Sequence, residues 1–221
     1  MTNKIDEYLK TLYENGGKEK MVSNKVIAEA MQIAPASVTE MLTRLNKLGL
    51  VLTTPYKGSM LTDAGLTYCL KIIRSCHLWE VFLVEYLGYT AREALEESHQ
   101  LEHVATDRLI DRLDNFLGNP KTCPHGSIIP RKNEIINRED LIQLSELKKG
   151  QKAIVRRVSE NDSLLSYLER IDLWVGAEIS ITEVSDYYGS IEFLQDEAQK
   201  SISLKAAYEV FVELMKNNKL E

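Results

Sequence analysis

Three potential metal ligands lie within five consecutive residues of this chain. The run His99-Gln100-Leu101-Glu102-His103 places two imidazoles and one carboxylate at positions i, i+3 and i+4. In a helix these positions share one face, so the three side chains would converge. Imidazole and carboxylate groups together bind divalent cations. We therefore predict a metal site here, the alternative being an ordinary solvated helix face.

A second short motif pairs a thiol with an imidazole. Cys123 and His125 are separated by one proline, which stiffens the turn between them, and a thiolate and an imidazole so placed can bind one ion. The motif lies in residues 118–140, a predicted linker with little periodicity. Three scattered cysteines, Cys69, Cys76 and Cys123, are too few for a disulfide framework, so we expect reduced thiols.

The first motif needs helices to position it. Apolar residues at helical spacing predict one helix over about 90–117 and another over 63–88. The apolar content of residues 63–88 is too broad for one intramolecular face. We therefore expect an antiparallel helix pair whose remaining apolar face is buried in a homodimer, the alternative being burial by the C-terminal domain.

Two shorter helices precede this pair. Ser23 can cap a helix over residues 24–31, and Pro35 suits the first turn of a second helix over 35–48. Two short helices joined by so tight a turn are typical of a helix-turn-helix, whose second helix enters the major groove of DNA.

Residues 49–62 follow as two short predicted strands joined by a turn that contains proline and glycine. This pattern predicts a winged helix, which binds double-stranded DNA, the alternative being a winged helix used for protein contacts. The residues predicted to contact DNA are Pro35, Ala36, Ser37, Thr39, Glu40 and Arg44 on the second helix, with Tyr56 and Lys57 at the wing tip.

The charge distribution is consistent with a DNA-binding head on a cation-binding body. The 221 residues have a net charge of −6, but residues 1–75 carry 10 Lys and Arg against 7 Asp and Glu, and the remainder carry 17 against 26. No apolar run is long enough to cross a bilayer, and the first seven residues lack a signal-peptide pattern. We expect a cytoplasmic protein with no membrane partner.

The C-terminal part alternates like a β-structure. Strands are predicted over residues 151–158, 178–184, 190–194 and 201–204, with one short helix over 163–170. We interpret this part as a small β-barrel. The fold class is therefore α+β, with a winged helix-turn-helix domain over 1–73, a helical metal-binding and dimerisation domain with its linker over 74–140, and a barrel domain over 141–221.

These features together resemble the diphtheria-toxin-repressor family of metal-dependent transcriptional regulators. The resemblance spans the chain and is closest to the manganese-type transport regulators that keep a C-terminal SH3-like domain. It implies a repressor that binds operator DNA as a homodimer when loaded with a divalent cation and controls metal-uptake genes. The motifs that carry it are residues 36–41, 78–83, 101–103 and 123–126.

The resemblance also implies two metal sites per subunit. One would use Glu80, Cys123, His125 and Glu160, and the other Glu7, Cys76, His99, Glu102 and His103. Relatives usually have Asp at positions 7 and 160, His at 76, and Glu or Cys at 99. The resemblance to manganese-type regulators implies Mn(II). The thiolate of Cys76 and the imidazole of His99, which depart from the family pattern, favour Zn(II) or Fe(II) instead.

Two further interpretations stay open at this point. His99, Glu102 and His103 also match the inverted motif of zinc metallopeptidases, in which Glu102 would be the general base. That site would need an open coordination position in a substrate cleft. A metal-independent winged-helix scaffold would instead bind DNA equally well in the presence of a chelator. We expect a regulator rather than an enzyme.

Overall fold

The computed structural model describes residues 2–131 and 141–215. The chain divides into two compact units. The first consists of Met1–Cys76 and His99–Ile110, and the second of His77–Ser98 and Asp111–Glu221.

The predicted domains 1–73, 74–140 and 141–221 stay a prediction, and part of the predicted linker, residues 132–140, lies outside the described residues together with 216–221. Within the described part of the chain, no helix has the length and apolar character needed to span a membrane.

The first unit contains the predicted helix-turn-helix. The Ser23 hydroxyl accepts a hydrogen bond from the Val26 amide, which begins the second helix as expected, and Gln32 ends it with a φ of 54°. Its elements are α1 (Thr2–Glu14), α2 (Asn24–Met31), α3 (Pro35–Lys47), β1 (Val51–Thr54) and β2 (Gly58–Leu61). The fully buried side chains of Leu9, Leu12, Ile27, Val38 and Leu45 pack these helices on one core.

The wing is anchored to the chain ahead of α2. Strands β1 and β2 pair antiparallel from Val51 opposite Leu61 to Thr54 opposite Gly58. Ser59 also pairs with Val22. Gly58 has a φ of 114°, and a Cβ there would lie 2.1 Å from the Val22 carbonyl oxygen, so glycine is required at this approach.

Three helices follow the wing: α4 (Asp63–Leu87), α5 (Ala91–Leu101) and α6 (Asp107–Phe116). The prediction of one helix over 90–117 is wrong. Helix α5 ends at Leu101, and the Thr106 hydroxyl accepts a hydrogen bond from the Leu109 amide to begin α6. Glu102 and His103 therefore lie in the turn between helices and not on one helix face with His99.

The second unit contains a six-stranded antiparallel sheet. After α6 the elements are β3 (Ile142–Gln143), a 3-10 turn (Leu144–Glu146), β4 (Lys152–Val158), α7 (Asp162–Arg170), β5 (Glu178–Ser185), β6 (Ser190–Gln195), β7 (Ala198–Ser203), α8 (Leu204–Ala207) and β8 (Val210–Leu214). The strand order is β3-β8-β4-β5-β6-β7, around a core that includes the fully buried Phe193 and Ile202.

The α+β class is confirmed, and the four predicted strands and the predicted short helix are present. Four elements of this part were not predicted, namely β3, the 3-10 turn, α8 and β8. Strand β3, the 3-10 turn and α8 are short, whereas β8 lies second in the sheet order and pairs with both β3 and β4.

An aromatic cluster on the second unit is exposed. The Tyr86 and Phe116 rings lie 5.0 Å apart and Phe82 stacks on Tyr86 at 5.8 Å. Tyr86 is 51% exposed and Phe116 is 59% exposed. A group of exposed rings is typical of a surface that another protein covers.

Candidate metal centres and DNA-binding surface

Five donors predicted for one metal site meet in the first unit. The ligand atoms of Cys76, His99 and Glu102 lie within 4.8 Å of one another, and so do those of Glu7, Glu102 and His103. Glu102 is common to both triads. We call these five residues the Glu102 cluster. Their donors come from α1, α4 and the segment that begins at the end of α5.

Glu102 lies at the centre of this cluster with no exposed side-chain surface. Its Oε1 accepts a hydrogen bond from Lys10 Nζ at 2.8 Å and lies 3.5 Å from His103 Nε2. Its Oε2 is buried and has no hydrogen-bond partner in the described chain. A buried carboxylate oxygen without a partner is costly, so this atom is suited to a cation that completes its coordination.

Sequence reasoning missed Asp6, which faces the same cluster. The Tyr68 hydroxyl donates a hydrogen bond to Asp6 Oδ1 at 3.1 Å. Asp6 Oδ2 lies 2.7 Å from His103 Nδ1, although the angle at this nitrogen is not that of a hydrogen bond. A carboxylate beside one ring nitrogen orients a histidine so that the other nitrogen can bind metal. Asp6 lies three residues before the buried Leu9, so helical spacing puts this carboxylate on the buried face of α1, which is the sequence signal that could have identified Asp6.

Lys10 places a positive charge at the cluster. Burial lowers the pKa of Lys10, but the charges of Glu102, Cys76 and Glu7 and the hydrogen bond to Glu102 outweigh it, so this pKa is raised and the ammonium persists. Lys10 thus neutralises part of the donor charge, and a metal ion would have to compete with it for Glu102.

We expect Lys10→Met to bind divalent cations more tightly, by about tenfold, because it removes a like charge from the site. The metal-free variant should lose about 3 kcal/mol of unfolding free energy, since Glu102 keeps a buried charge without its partner. Calorimetric titration with Mn(II) and urea unfolding measure the two effects.

Lys71→Met is the matched control, because Lys71 forms an ion pair of the same 2.8 Å length with Asp107 on an exposed surface. It should change neither quantity measurably. Weaker metal binding by Lys10→Met would instead show that the ammonium supports the site.

A second cluster lies in the second unit. The ligand atoms of Glu80, Cys123 and His125 lie within 4.8 Å of one another, and those of His77, Cys123 and Glu160 do the same. Cys123 is common to both triads, and we call these five residues the Cys123 cluster. Four of them were predicted to share a site, whereas His77 was missed, because it belongs to neither of the two short motifs nor to the ligand set implied by the resemblance.

His125 is held with one ring nitrogen facing the cluster. Its Nε2 lies 3.1 Å from the Ala91 carbonyl oxygen, and its Nδ1 lies 3.0 Å from Glu80 Oε2 and 3.9 Å from Cys123 Sγ. If Nε2 donates its proton to the carbonyl, Nδ1 is the atom available to a metal. Thr90 and Glu93 exchange backbone-to-side-chain hydrogen bonds and so fix the start of α5, which supplies this carbonyl.

The turn that carries Cys123 and His125 is packed on strand β4. The Val158 amide donates to the His125 carbonyl at 2.9 Å. Gly126 has a φ of +82°, and a Cβ there would lie 1.8 Å from the Arg156 carbonyl oxygen. Only glycine fits this approach, so the backbone fixes where the thiol and imidazole lie.

The two carboxylates control the protonation of this cluster. Burial raises the pKa of Cys123 well above its usual value, and the charges of Glu80 and Glu160 add to the effect. Burial lowers the pKa of His125, but the hydrogen bond and charge of Glu80 reverse this and raise it. Burial raises the pKa of Glu160, whereas the hydrogen bond and charge of His77 hold it below its usual range.

The donors present fit a transition-metal ion. Glu102 Oε2 is buried without a hydrogen-bond partner in residues 2–131 and 141–215. Asp6 lies beside His103 Nδ1, so His103 Nε2 is the ring nitrogen that faces Glu102. Each cluster offers two carboxylates, one thiol and two imidazoles. These groups bind zinc, iron and manganese in proteins.

The predicted DNA-contacting residues lie on the exposed face of α3 and on the wing. The six residues of α3 that were predicted to contact DNA are all exposed, and so are the two at the turn of the wing, Tyr56 and Lys57. The Thr39 hydroxyl donates to the Pro35 carbonyl at 3.0 Å and accepts from Asn24. The surface therefore has the form that major-groove insertion requires.

Family models match three successive parts of the chain. Residues 1–59 match the iron-dependent repressor N-terminal DNA-binding domain, and residues 62–131 match the iron-dependent repressor metal-binding and dimerisation domain. Residues 142–214 match the FeoA domain. The exposed aromatic cluster therefore lies in the part that matches the dimerisation model.

Known proteins resemble the chain over nearly its whole length. The solved structure of ScaR with bound Zn²⁺ is 38% identical, covers 96% of this chain and 99% of its own, and has a TM-score of 0.82. This chain belongs to the iron-dependent repressor family. A manganese-dependent transcriptional repressor in complex with manganese is 29% identical at a TM-score of 0.84, with 95% of this chain and 99% of that chain covered. The diphtheria toxin repressor of Corynebacterium glutamicum is 26% identical over 190 residues, 83% of each protein.

Membership of this family confirms the resemblance and the predicted metal-dependent transcriptional repressor, whereas control of metal-uptake genes stays a prediction. The protein is a metal-dependent transcriptional repressor that binds operator DNA through its N-terminal domain, and its family dimerises. The match to the FeoA domain agrees with the predicted SH3-like domain. The family consists of repressors and not of enzymes, so the metallopeptidase interpretation is not supported.

Proposed function

We propose that the Glu102 cluster and the Cys123 cluster are the sites through which this repressor senses a divalent cation, and that it acts in the cytoplasm on metal-uptake genes. The observation that carries the proposal is the buried Oε2 of Glu102, which lacks a partner and belongs to two donor triads. A bound cation would supply the positive charge that this cluster otherwise takes from Lys10 and from ligand protons.

The first unit offers a direct path from metal to DNA surface. Glu7 lies on α1, and Leu9 and Leu12 of the same helix pack in one core with Ile27 of α2 and Leu45 of α3. A cation bound by Glu7, Glu102 and His103 would therefore fix α1 and, through this core, the recognition helix. Because interiors are densely packed, a restraint on one helix is transmitted to its neighbours.

The names of the relatives and the chemistry of the donors both bear on which ion the repressor senses. Relatives are named as dependent on manganese or on iron, which favours Mn(II) or Fe(II). The thiolates and imidazoles fit Fe(II) and Zn(II) better than Mn(II), which lies at the weak end of the affinity order. We expect all three ions to activate the repressor, with Mn(II) required at the highest concentration.

Metal-dependent duplex binding tests this proposal. A duplex selected from random sequence by the metal-loaded full chain would be titrated under reducing conditions with the demetallated and the reloaded protein. A complete switch corresponds to roughly 10⁴-fold tighter binding on loading. Equal binding with and without a chelator would overturn the proposal, and cell fractionation would test the location.

A further inference from the structure

His77 faces the Cys123 cluster from the same helix as Glu80. The two residues are three apart on α4, so their side chains project from one face. His77 Nε2 lies 3.4 Å from Glu160 Oε1. His77, Glu160 and Cys123 form one donor triad. Helix α4 thus brings two donors to the cluster.

The His77 ring is buried, and one of its nitrogens faces the cluster. The residue is 5% exposed, and Nε2 is the nitrogen that lies beside Glu160. Nδ1 forms no hydrogen bond of ordinary geometry within the described chain, but the ring also faces the backbone of Ile128. A histidine that binds metal through one nitrogen directs its other N–H at a carboxylate or a backbone carbonyl. Nε2 is therefore the atom that would bind an ion.

The separations of the donor atoms match those around one ion. Metal bonds of about 2.0–2.3 Å place tetrahedral ligand atoms about 3.3–3.8 Å apart. Cys123 Sγ lies 3.9 Å from His125 Nδ1 and 3.9 Å from Glu160 Oε1. With the 3.4 Å between His77 and Glu160, the cluster needs only small adjustments to enclose a cation.

We propose that His77 is a metal ligand of the Cys123 cluster and that its imidazole makes this cluster select a borderline ion such as Zn(II) over Mn(II). This inference rests on the proposed function, which assigns metal binding to the cluster. With His77 the ion meets two imidazoles and one thiolate, donors that favour zinc, whereas manganese favours carboxylate and water oxygens.

Cobalt(II) absorption tests this assignment on the full chain carrying Cys76→Ser. Cys69 belongs to no donor group of the described residues, so thiolate-to-cobalt absorption in this chain reports Cys123 alone. The same chain with His77→Leu is titrated with Co(II), and Zn(II) and Mn(II) affinities are then measured by displacement.

The His77→Leu chain should keep the thiolate band but show changed visible bands, because one nitrogen ligand is replaced. Zn(II) affinity should fall by at least about tenfold, and Mn(II) affinity by less than about threefold. Unchanged visible bands and Zn(II) affinity would overturn the assignment. An equal loss for both ions would overturn the selectivity.

Two further variants separate metal loss from misfolding. His77→Gln keeps a polar group of similar size and should lose Zn(II) affinity in the same direction if His77→Leu proves unstable. His99→Leu, in the Glu102 cluster, should leave the Cys123 band unchanged. No DNA is present in these measurements, so their failure is distinguishable from failure of metal-dependent operator binding.

Discussion

Glu102→Gln is expected to weaken metal-dependent operator binding strongly. The substitution keeps the side-chain size but removes the negative charge that both triads of the Glu102 cluster share. Loss of an outer partner of a metal ligand costs 10–100-fold in affinity, so loss of this ligand's charge should cost at least about 100-fold. Calorimetric titration with Mn(II) or Zn(II) measures the affinity, and fluorescence anisotropy of a labelled duplex measures DNA binding.

The size of this loss decides whether the switch survives. Moving a two-state equilibrium from 1:99 to 99:1 takes a preference of about 10⁴-fold, or about 5.5 kcal/mol. A 100-fold loss of affinity, about 2.8 kcal/mol, removes about half of that preference. The variant should therefore bind the duplex weakly at metal concentrations that saturate the wild type.

The control variants distinguish ligand loss from misfolding. Glu97→Gln changes an exposed carboxylate on the same helix as His99 and should leave both measurements unchanged. Because Glu102→Gln leaves the Lys10 ammonium without its carboxylate, the double variant with Lys10→Met should recover stability but not metal binding. An unaltered metal response in Glu102→Gln would remove Glu102 from the site.

The helix-turn-helix could be predicted because local signals define its ends. The Ser23 cap and Pro35 in the first turn place α2 and α3 within one residue of their predicted bounds. The prediction of one helix over 90–117 failed for the opposite reason. The apolar spacing continues through Glu102 and His103, while Thr106 caps a new helix. The edge strand β3 has only two residues, too few for a period to be recognised.

The metal clusters were predicted only in part because their members are distant in the sequence. His99, Glu102 and His103 were found from their spacing, whereas Glu7, Cys76, Glu80 and Glu160 followed from the family resemblance. His77 has neither signal, and Asp6 has only its helical spacing to the buried Leu9, which does not reveal the donors that surround it, because these come from other segments. Only the tertiary structure brings them to the clusters.

Metal binding at the Cys123 cluster is expected to tighten steeply as pH rises. A thiolate and a neutral imidazole are the binding forms, so a cation must displace their protons. Burial raises the pKa of Cys123 well above its usual value, so the thiol keeps its proton through neutral pH. Each displaced proton makes the affinity rise about tenfold per pH unit below the pKa of the group.

His125 adds a second proton at lower pH. Although burial lowers the pKa of His125, Glu80 raises it above its usual value, so the imidazolium extends to higher pH than in a free histidine. Although burial lowers the pKa of His77, the hydrogen bond and charge of Glu160 raise it above its usual value, so a metal-bound His77 would release a further proton. Above the pKa values of both histidines the affinity should change about tenfold per pH unit, and below them by up to about 1000-fold. Glu160 contributes no proton, because His77 holds its pKa below the usual range.

Proton release can be counted directly by Zn(II) calorimetry at pH 6, 7 and 8 in buffers of different ionisation enthalpy. Cys123→Ser should release about one proton fewer per chain than the wild type. Cys69→Ala is the matched control, because burial raises the pKa of Cys69 to about 12 but this thiol belongs to neither cluster. It should leave the count unchanged. The same proton count in Cys123→Ser and the wild type would show that this thiol does not bind the ion, since a displaced thiol proton must appear in the buffer.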